Sequence, residues 1–316
     1  MNRLVKGIAL GAGVLGLAVG YLVLRPPHRA APREIRVASS PEIVERGKFL
    51  YEVVADCDGC HGERNWGRQL APVVRSGAGF VFPAEMGLPG QVVASNITSD
   101  PVAGIGAWSD GEKLRAIREG IGRDGRALFP MMPYESYRHM SDRDAEALVA
   151  YLNTLPPAPD RHPRTAIDFP VSALMKSAPA PVEGPVAELA DRGEYLVKLG
   201  GCADCHTPKE RGAPVAGKEF AGGEVFRLGK FTVVSANITP DGETGIGRMT
   251  EAAFVRRFQE HREYAEAPLP AATQKNFTLM PWLQYSWYSA EDLGAIYRYL
   301  RRRQAAANKV TVHPES

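Results

Sequence analysis

Two stretches of this chain carry the same motifs in the same order, and this repetition limits the fold more than any other feature. Arg46-Gly47-Lys48-Phe49-Leu50 precedes Cys57-Asp58-Gly59-Cys60-His61, and Arg192-Gly193-Glu194-Tyr195-Leu196 precedes Cys202-Ala203-Asp204-Cys205-His206. Ser95-Asn96-Ile97-Thr98 is answered by Ala236-Asn237-Ile238-Thr239, and Gly104-Ile105-Gly106 by Gly245-Ile246-Gly247. Met132-Pro133-Tyr134 is answered by Met280-Pro281-Trp282, and both copies close on similar segments, 141–152 and 289–300. The offset stays between 141 and 148 residues throughout, so the chain is a duplication.

The repeat divides the 316 residues into an N-terminal stretch 1–40, a first domain 41–155, a linker 156–186, a second domain 187–303 and a tail 304–316. The linker holds eight prolines in 31 positions, which predicts an extended strap. Residues 7–24 carry no charge, and eighteen residues at ~1.5 Å each make a helix roughly as long as a bilayer core is thick. That run reads as an uncleaved membrane anchor in preference to a cleaved signal peptide or a buried core helix. Arginines and lysines flank it on both sides, so charge alone does not orient it. A formal net charge of +2 without a basic block excludes nucleic acid as the main partner.

Each copy reads as helical with long loops. Pro41 to Val54 and Val186 to Leu199 are expected as helices leading into the cysteines. Ser141 and Ser289 stand as N-caps, with Asp144 and Asp292 three residues on. Ala147, Leu148, Tyr151 and Leu152 then make one apolar face, as do Leu293, Ile296, Tyr297 and Leu300. Between these helices lie Gly- and Pro-rich stretches that call for a cofactor to pack around.

All four cysteines sit in the two pentapeptides. A thioredoxin-like dithiol belongs in βαβ surroundings that are absent here. Zinc needs ligands approaching from separate directions, which a histidine abutting the second cysteine suits poorly. A surface disulfide explains neither histidine. Cys-x-x-Cys-His is the attachment signature of c-type haem, with each thiol adding to a vinyl group and the histidine ligating iron. The motif occurs twice at matching places, so two covalently bound haem c groups are expected, on Cys57, Cys60 and His61 and on Cys202, Cys205 and His206.

The sixth ligand follows from the repeat. A thioether favours reduced iron and raises the potential, which suits an electron carrier. Met131 aligns with Leu279, and Met249 with Trp108. Only Met132 and Met280 align with each other, 71 and 74 residues after their histidines. They are the expected axial ligands; His261 is retained as a distal alternative in the second copy.

On these residues each half resembles a class I cytochrome c domain. Residues 41–303 together resemble the multihaem c-type electron-transfer subunits of bacterial membrane-bound dehydrogenases of the alcohol and gluconate type. The words carrying the likeness are CDGCH, CADCH, the two NIT and two GIG motifs, and Arg118-Glu119-Gly120, Asp124-Gly125-Arg126 and Phe129–Tyr134. The resemblance implies an all-α fold of two tandem class I cytochrome c domains behind an N-terminal transmembrane helix. It implies that Gly47 and Gly193 let the first helix cross closely over the last, near Tyr151 and Tyr299. It also implies a tryptophan near a haem propionate, which Trp108 supplies and Met249 does not. The second copy lacks the Asp-Gly-Arg segment and carries 261–278 in its place, so the two sites are not expected to be equivalent.

The function expected is single-electron transfer, with no catalysis by the chain itself. The donor would be a dehydrogenase or quinol-oxidising complex, and the acceptor an oxidase or soluble cytochrome. Covalent haem implies periplasmic domains, anchored to the inner membrane. The alternative is a dihaem enzyme, a peroxidase or thiosulfate-oxidising cytochrome, which needs one haem open to substrate.

Overall fold

The computed structural model describes residues 11, 13–21, 30–175, 180–210, 212–264 and 268–315. Three helices shape the first half: α1 (Pro41–Phe49), α2 (Asp110–Glu119) and α3 (Asp142–Leu152). Three shape the second: α4 (Arg192–Leu199), α5 (Glu251–Gln259) and α6 (Ala290–Arg301). The chemistry that starts them is local. Ser141 Oγ accepts from the Asp144 backbone N–H at 3.2 Å, and Ser289 Oγ from that of Asp292 at 2.9 Å. Ser109 and Glu112 form a reciprocal capping box at the start of α2, and Gly120 ends that helix at φ 64°.

The first helix runs as expected from Pro41, with Leu50–Val54 continuing it in π-helical geometry. The second differs from expectation. It starts at Arg192 rather than Val186, because the Asp191 carboxylate accepts from the Glu194 N–H at 3.1 Å and fixes the N-terminus there. Among the described residues the Gly- and Pro-rich loops add five two-stranded antiparallel pairs to the helical framework.

In each half the first helix crosses the last at its glycine. A Cβ on Gly47 would overlap the Ala147 carbonyl and lie 2.8 Å from Tyr151 Cβ; one on Gly193 would overlap the Ala295 carbonyl and lie 2.8 Å from Tyr299 Cβ. The preceding arginines lock the crossings. Arg46 forks onto Asp144 at 2.9 and 2.6 Å, and Arg192 onto Asp292 at 2.9 and 3.2 Å. The paired Arg-Gly words thus encode one contact: an arginine reaching the cap of the last helix beside a residue with no side chain to obstruct it.

Both halves share one hydrophobic core. Trp282–Tyr285 packs on Leu50–Val54 of the first half, and Tyr134–Tyr137 packs on α4 of the second. Phe49 meets Tyr288 edge-on at 5.8 Å, and the Tyr195 hydroxyl donates to Asp144 at 2.8 Å across the same seam.

Linker and tail wrap the two halves alike. The linker pairs Ala166–Ile167 with Gly90–Gln91 and sets His162 Nε2 2.8 Å from the Ala78 carbonyl. In the tail Asn308 donates to the Ala221 carbonyl at 2.9 Å, and Val234 N–H donates to Val312. Residues 13–21 are helical, but most of the flanking parts of 7–24 lie outside the described residues. Among the described residues no helix is long and apolar enough to cross a membrane.

Candidate haem-binding sites

Cys57 caps the single helical turn Asp58–His61, and Cys202–His206 forms the matching turn. Three residues apart on a helix, each pair of sulfurs lies on one side, with the histidine following directly. None of the four cysteines is paired in a disulfide. Burial pushes the Cys60 thiol up to about 11 and the Cys202 thiol up to about 12.

The imidazoles are held identically. His61 Nδ1 lies 2.7 Å from the Ser95 carbonyl, and His206 Nδ1 lies 2.7 Å from the Ala236 carbonyl. A carbonyl only accepts, so each Nδ1 carries the proton and each Nε2 keeps its lone pair for a metal. Enclosure pulls both imidazoles below the ordinary histidine range and outweighs the carbonyl bond, which acts the other way. Both rings are therefore held neutral, in the tautomer that can ligate iron.

The Asn-Ile-Thr words build the carbonyls that do this. Asn96 Oδ1 accepts from the Thr98 N–H at 2.9 Å and its hydroxyl at 2.6 Å, while Nδ2 donates to Ala158 at 2.7 Å and Asp160 at 3.1 Å. Asn237 repeats this with Thr239 at 2.9 and 2.7 Å, and with Ala306 at 2.7 Å. Each asparagine ties the turn that offers its carbonyl to the strap wrapping its own half. The histidine backbones are fixed as well: Gly79 N–H donates to the His61 carbonyl at 2.7 Å, and Gly222 N–H to that of His206 at 2.6 Å.

Met132 and Met280 have matching backbones. Tyr134 N–H donates to the Met132 carbonyl and Trp282 N–H to the Met280 carbonyl, both at 2.8 Å. Pro133 (φ −82°, ψ 49°) and Pro281 (φ −79°, ψ 63°) sit at the centre of what are inverse γ-turns. Proline presets that φ, which is why it follows both methionines. Each methionine loop is fastened to its own cysteine segment by a buried tyrosine. The Tyr137 hydroxyl donates to Ala55 at 3.2 Å, and the Tyr285 hydroxyl to Gly200 at 2.9 Å. Cys57, Cys202, Met132 and Met280 are all partly buried and packed on the common core.

Trp108 is partly buried and packs on the same core as Cys57 and Met132. It lines a cavity of about 300 Å³ with Arg36, Ile105, Lys113 and Leu152. His261 stacks on Trp282 at 4.8 Å, with Nδ1 3.1 Å from the Arg257 carbonyl. Sequence reasoning misses the arginine forks and the buried tyrosines that fasten the methionine loops. A signal for the tyrosines exists in Tyr137 and Tyr285, which follow Met132 and Met280 by five residues each.

Paired thiols on one helical turn, a neutral imidazole with a free Nε2 and a partly buried thioether make a donor set that fits covalent haem. Comparison with known proteins agrees with that class. The cytochrome c family profile matches residues 44–156. A diheme cytochrome c-type protein of Cereibacter sphaeroides is 31% identical over 225 residues, covering 66% of this chain and 70% of that protein. The fructose dehydrogenase cytochrome subunit of Gluconobacter japonicus is 29% identical over 297 residues, 88% of this chain and 56% of the subunit. The gluconate 2-dehydrogenase cytochrome c subunit of Pantoea cypripedii is 29% identical over 291 residues, 85% of this chain and 62% of that protein. This chain belongs to the cytochrome c family, and membership implies covalently bound haem c.

Proposed function

We propose that this chain is a membrane-anchored dihaem cytochrome c that carries single electrons from a dehydrogenase or quinol-oxidising complex to an oxidase or soluble cytochrome. Residues 41–155 and 187–303 are its two tandem class I cytochrome c domains, lying in the periplasm, with 7–24 as the inner-membrane anchor. Cys57 and Cys60 bind one haem, Cys202 and Cys205 the other. When bound, haem c supplies a one-electron iron couple.

The residues set that couple. His61 and His206 present Nε2 to the metal, each with its ring orientation fixed by a backbone carbonyl. Met132 and Met280 would supply the second, thioether ligand, whose soft sulfur would favour the reduced state. Held by a histidine and a methionine in each half, the haem would have no position open to a substrate, so the chain would pass electrons without chemistry of its own. Trp108 is assigned to the propionate side of the first site.

The observation that carries this reading is the identical 2.7 Å bond from Nδ1 to a carbonyl in both halves. The partner class is supported by what similar proteins are: cytochrome subunits of fructose and gluconate dehydrogenases and of quinone-dependent alcohol dehydrogenase. The chain spans about half to three fifths of the length of these relatives, covering 56%, 62% and 55% of them in turn.

The test is the intact mass of the denatured protein together with its near-infrared magnetic spectrum when oxidised. The expected result is two haems per chain and a methionine–iron band from each. A single haem, a high-spin haem or a haem with two nitrogen ligands overturns the assignment for that site.

A further inference from the structure

The two methionine loops are supported in different ways. On the approach to Met132 the chain closes on itself: Gly122 N–H donates to Arg126 at 2.9 Å, Leu128 N–H to Gly120 at 2.7 Å, and Ile121 bridges Ala127. In the second half the replacement segment instead crosses to the first half and pairs with the loop that follows His61. Gln69 N–H donates to the Pro270 carbonyl at 2.8 Å, Ala272 N–H to Gly67 at 3.0 Å, and Arg68 Nη1 to Leu269 at 3.2 Å. Leu269 is buried beneath this clasp.

From the clasp a chain of ties leads to Met280. Gln274 brackets Thr232, accepting from its N–H at 3.0 Å and donating to its carbonyl at 2.6 Å. Phe277 stacks on Phe231 at 4.7 Å and 19°, and its carbonyl lies 2.9 Å from His313 Nε2. Thr278 Oγ1 then accepts from the Met280 N–H at 3.0 Å. The far side of the clasp is unusual backbone: Leu70 (φ 61°) and Ala71 (φ 39°) are both left-handed and both buried. Such geometry persists only where surrounding contacts over-determine it.

We propose that the Gly67–Gln69 loop of the first half positions Met280, the axial sulfur of the second site, with Arg68 and Gln69 as the positioning residues. The first half therefore sets the ligation of the second haem, while the first site supports its own methionine. This rests on the assignment of Met280 as an iron ligand.

The test uses the full-length holoprotein and three variants, Ala272→Pro, Arg68→Ala and Met280→Ala. Ala272→Pro deletes the N–H that reaches Gly67, and Arg68→Ala deletes one side-chain bond without touching the backbone. The expected result for Ala272→Pro is a near-infrared methionine–iron band falling toward half, with carbon monoxide binding one of the two reduced haems, as in Met280→Ala. Arg68→Ala shifts the same signals less. In both clasp variants the Met280 amide exchanges its hydrogen roughly tenfold faster, with Met132 unchanged, which reads the loop independently of the haem. If Met280→Ala opens one haem while both clasp variants keep full band and slow exchange, the positioning claim is wrong and the ligand assignment stands. If Met280→Ala itself leaves both bands intact, the ligand assignment fails and this inference with it. Equal weakening at both haems in the clasp variants also overturns the claim, since it shows general loosening.

Discussion

Asn96 supports the first candidate site from behind, because it fixes the turn whose Ser95 carbonyl orients His61. Its buried side chain satisfies the Thr98 N–H and hydroxyl and two strap carbonyls at once. Alanine there strands those groups, and at about 1–3 kcal/mol for each buried unsatisfied partner the expected loss is at least about 2 kcal/mol. Denaturant unfolding of Asn96→Ala measures it, and a loss below about 0.5 kcal/mol, the low end for a net hydrogen bond, would show that the strap is held by something else. The matching bonds of Asn237 make Asn237→Ala comparably costly. The Asn-Ile-Thr words are visible in the sequence, but their purpose is not. The partners Ala158 and Ala306 offer backbone carbonyls, which leave no signature in residue identity.

At the scale of elements, the helix crossings follow from the resemblance and the linker strap from its prolines, whereas the contacts the straps make are not legible. The family resemblance implies a crossing at the glycine ten residues before the first cysteine pair and nine before the second, and the physical reason is that a residue without a side chain lets two backbones touch. The expected cost of Gly47→Ala is about 3 kcal/mol, at the upper end for overpacking, because the obstacle is the Ala147 carbonyl and cannot rotate away. Gly193→Ala meets the Ala295 carbonyl in the same way. Gly242→Ala is the control, since a Cβ there meets nothing within 4 Å and its backbone is ordinary, so its thermal midpoint should barely move. Equal midpoints for all three variants would refute the crossing argument. The linker and tail, by contrast, share no words. They do the same work through His162 at Ala78 and Asn308 at Ala221, two unlike side chains meeting equivalent carbonyls.

For the whole molecule, the duplication suggests two bodies joined by a strap, whereas the packing makes one core. Each methionine loop continues into a short helix that packs on the other half, and the Tyr195 hydroxyl enters the Arg46–Asp144 pair from across the seam. No periodicity in a single copy reveals which of its apolar faces will meet the other copy. The seam makes unfolding a shared event. Tyr195→Phe removes the donor to Asp144 and leaves the Ser141 N–H, 3.1 Å away, without its acceptor. At about 1–3 kcal/mol for such buried groups the change lies within reach of native-state hydrogen exchange. If the halves unfold together, the slowest amides of α3 and α6 gain rate by the same factor, although the substitution lies in α4. Acceleration confined to the second half would mean that each copy keeps its own stability and that the seam only docks them. A common factor would make the seam the reason that the two halves, with their differently supported methionine loops, stay in one fixed arrangement.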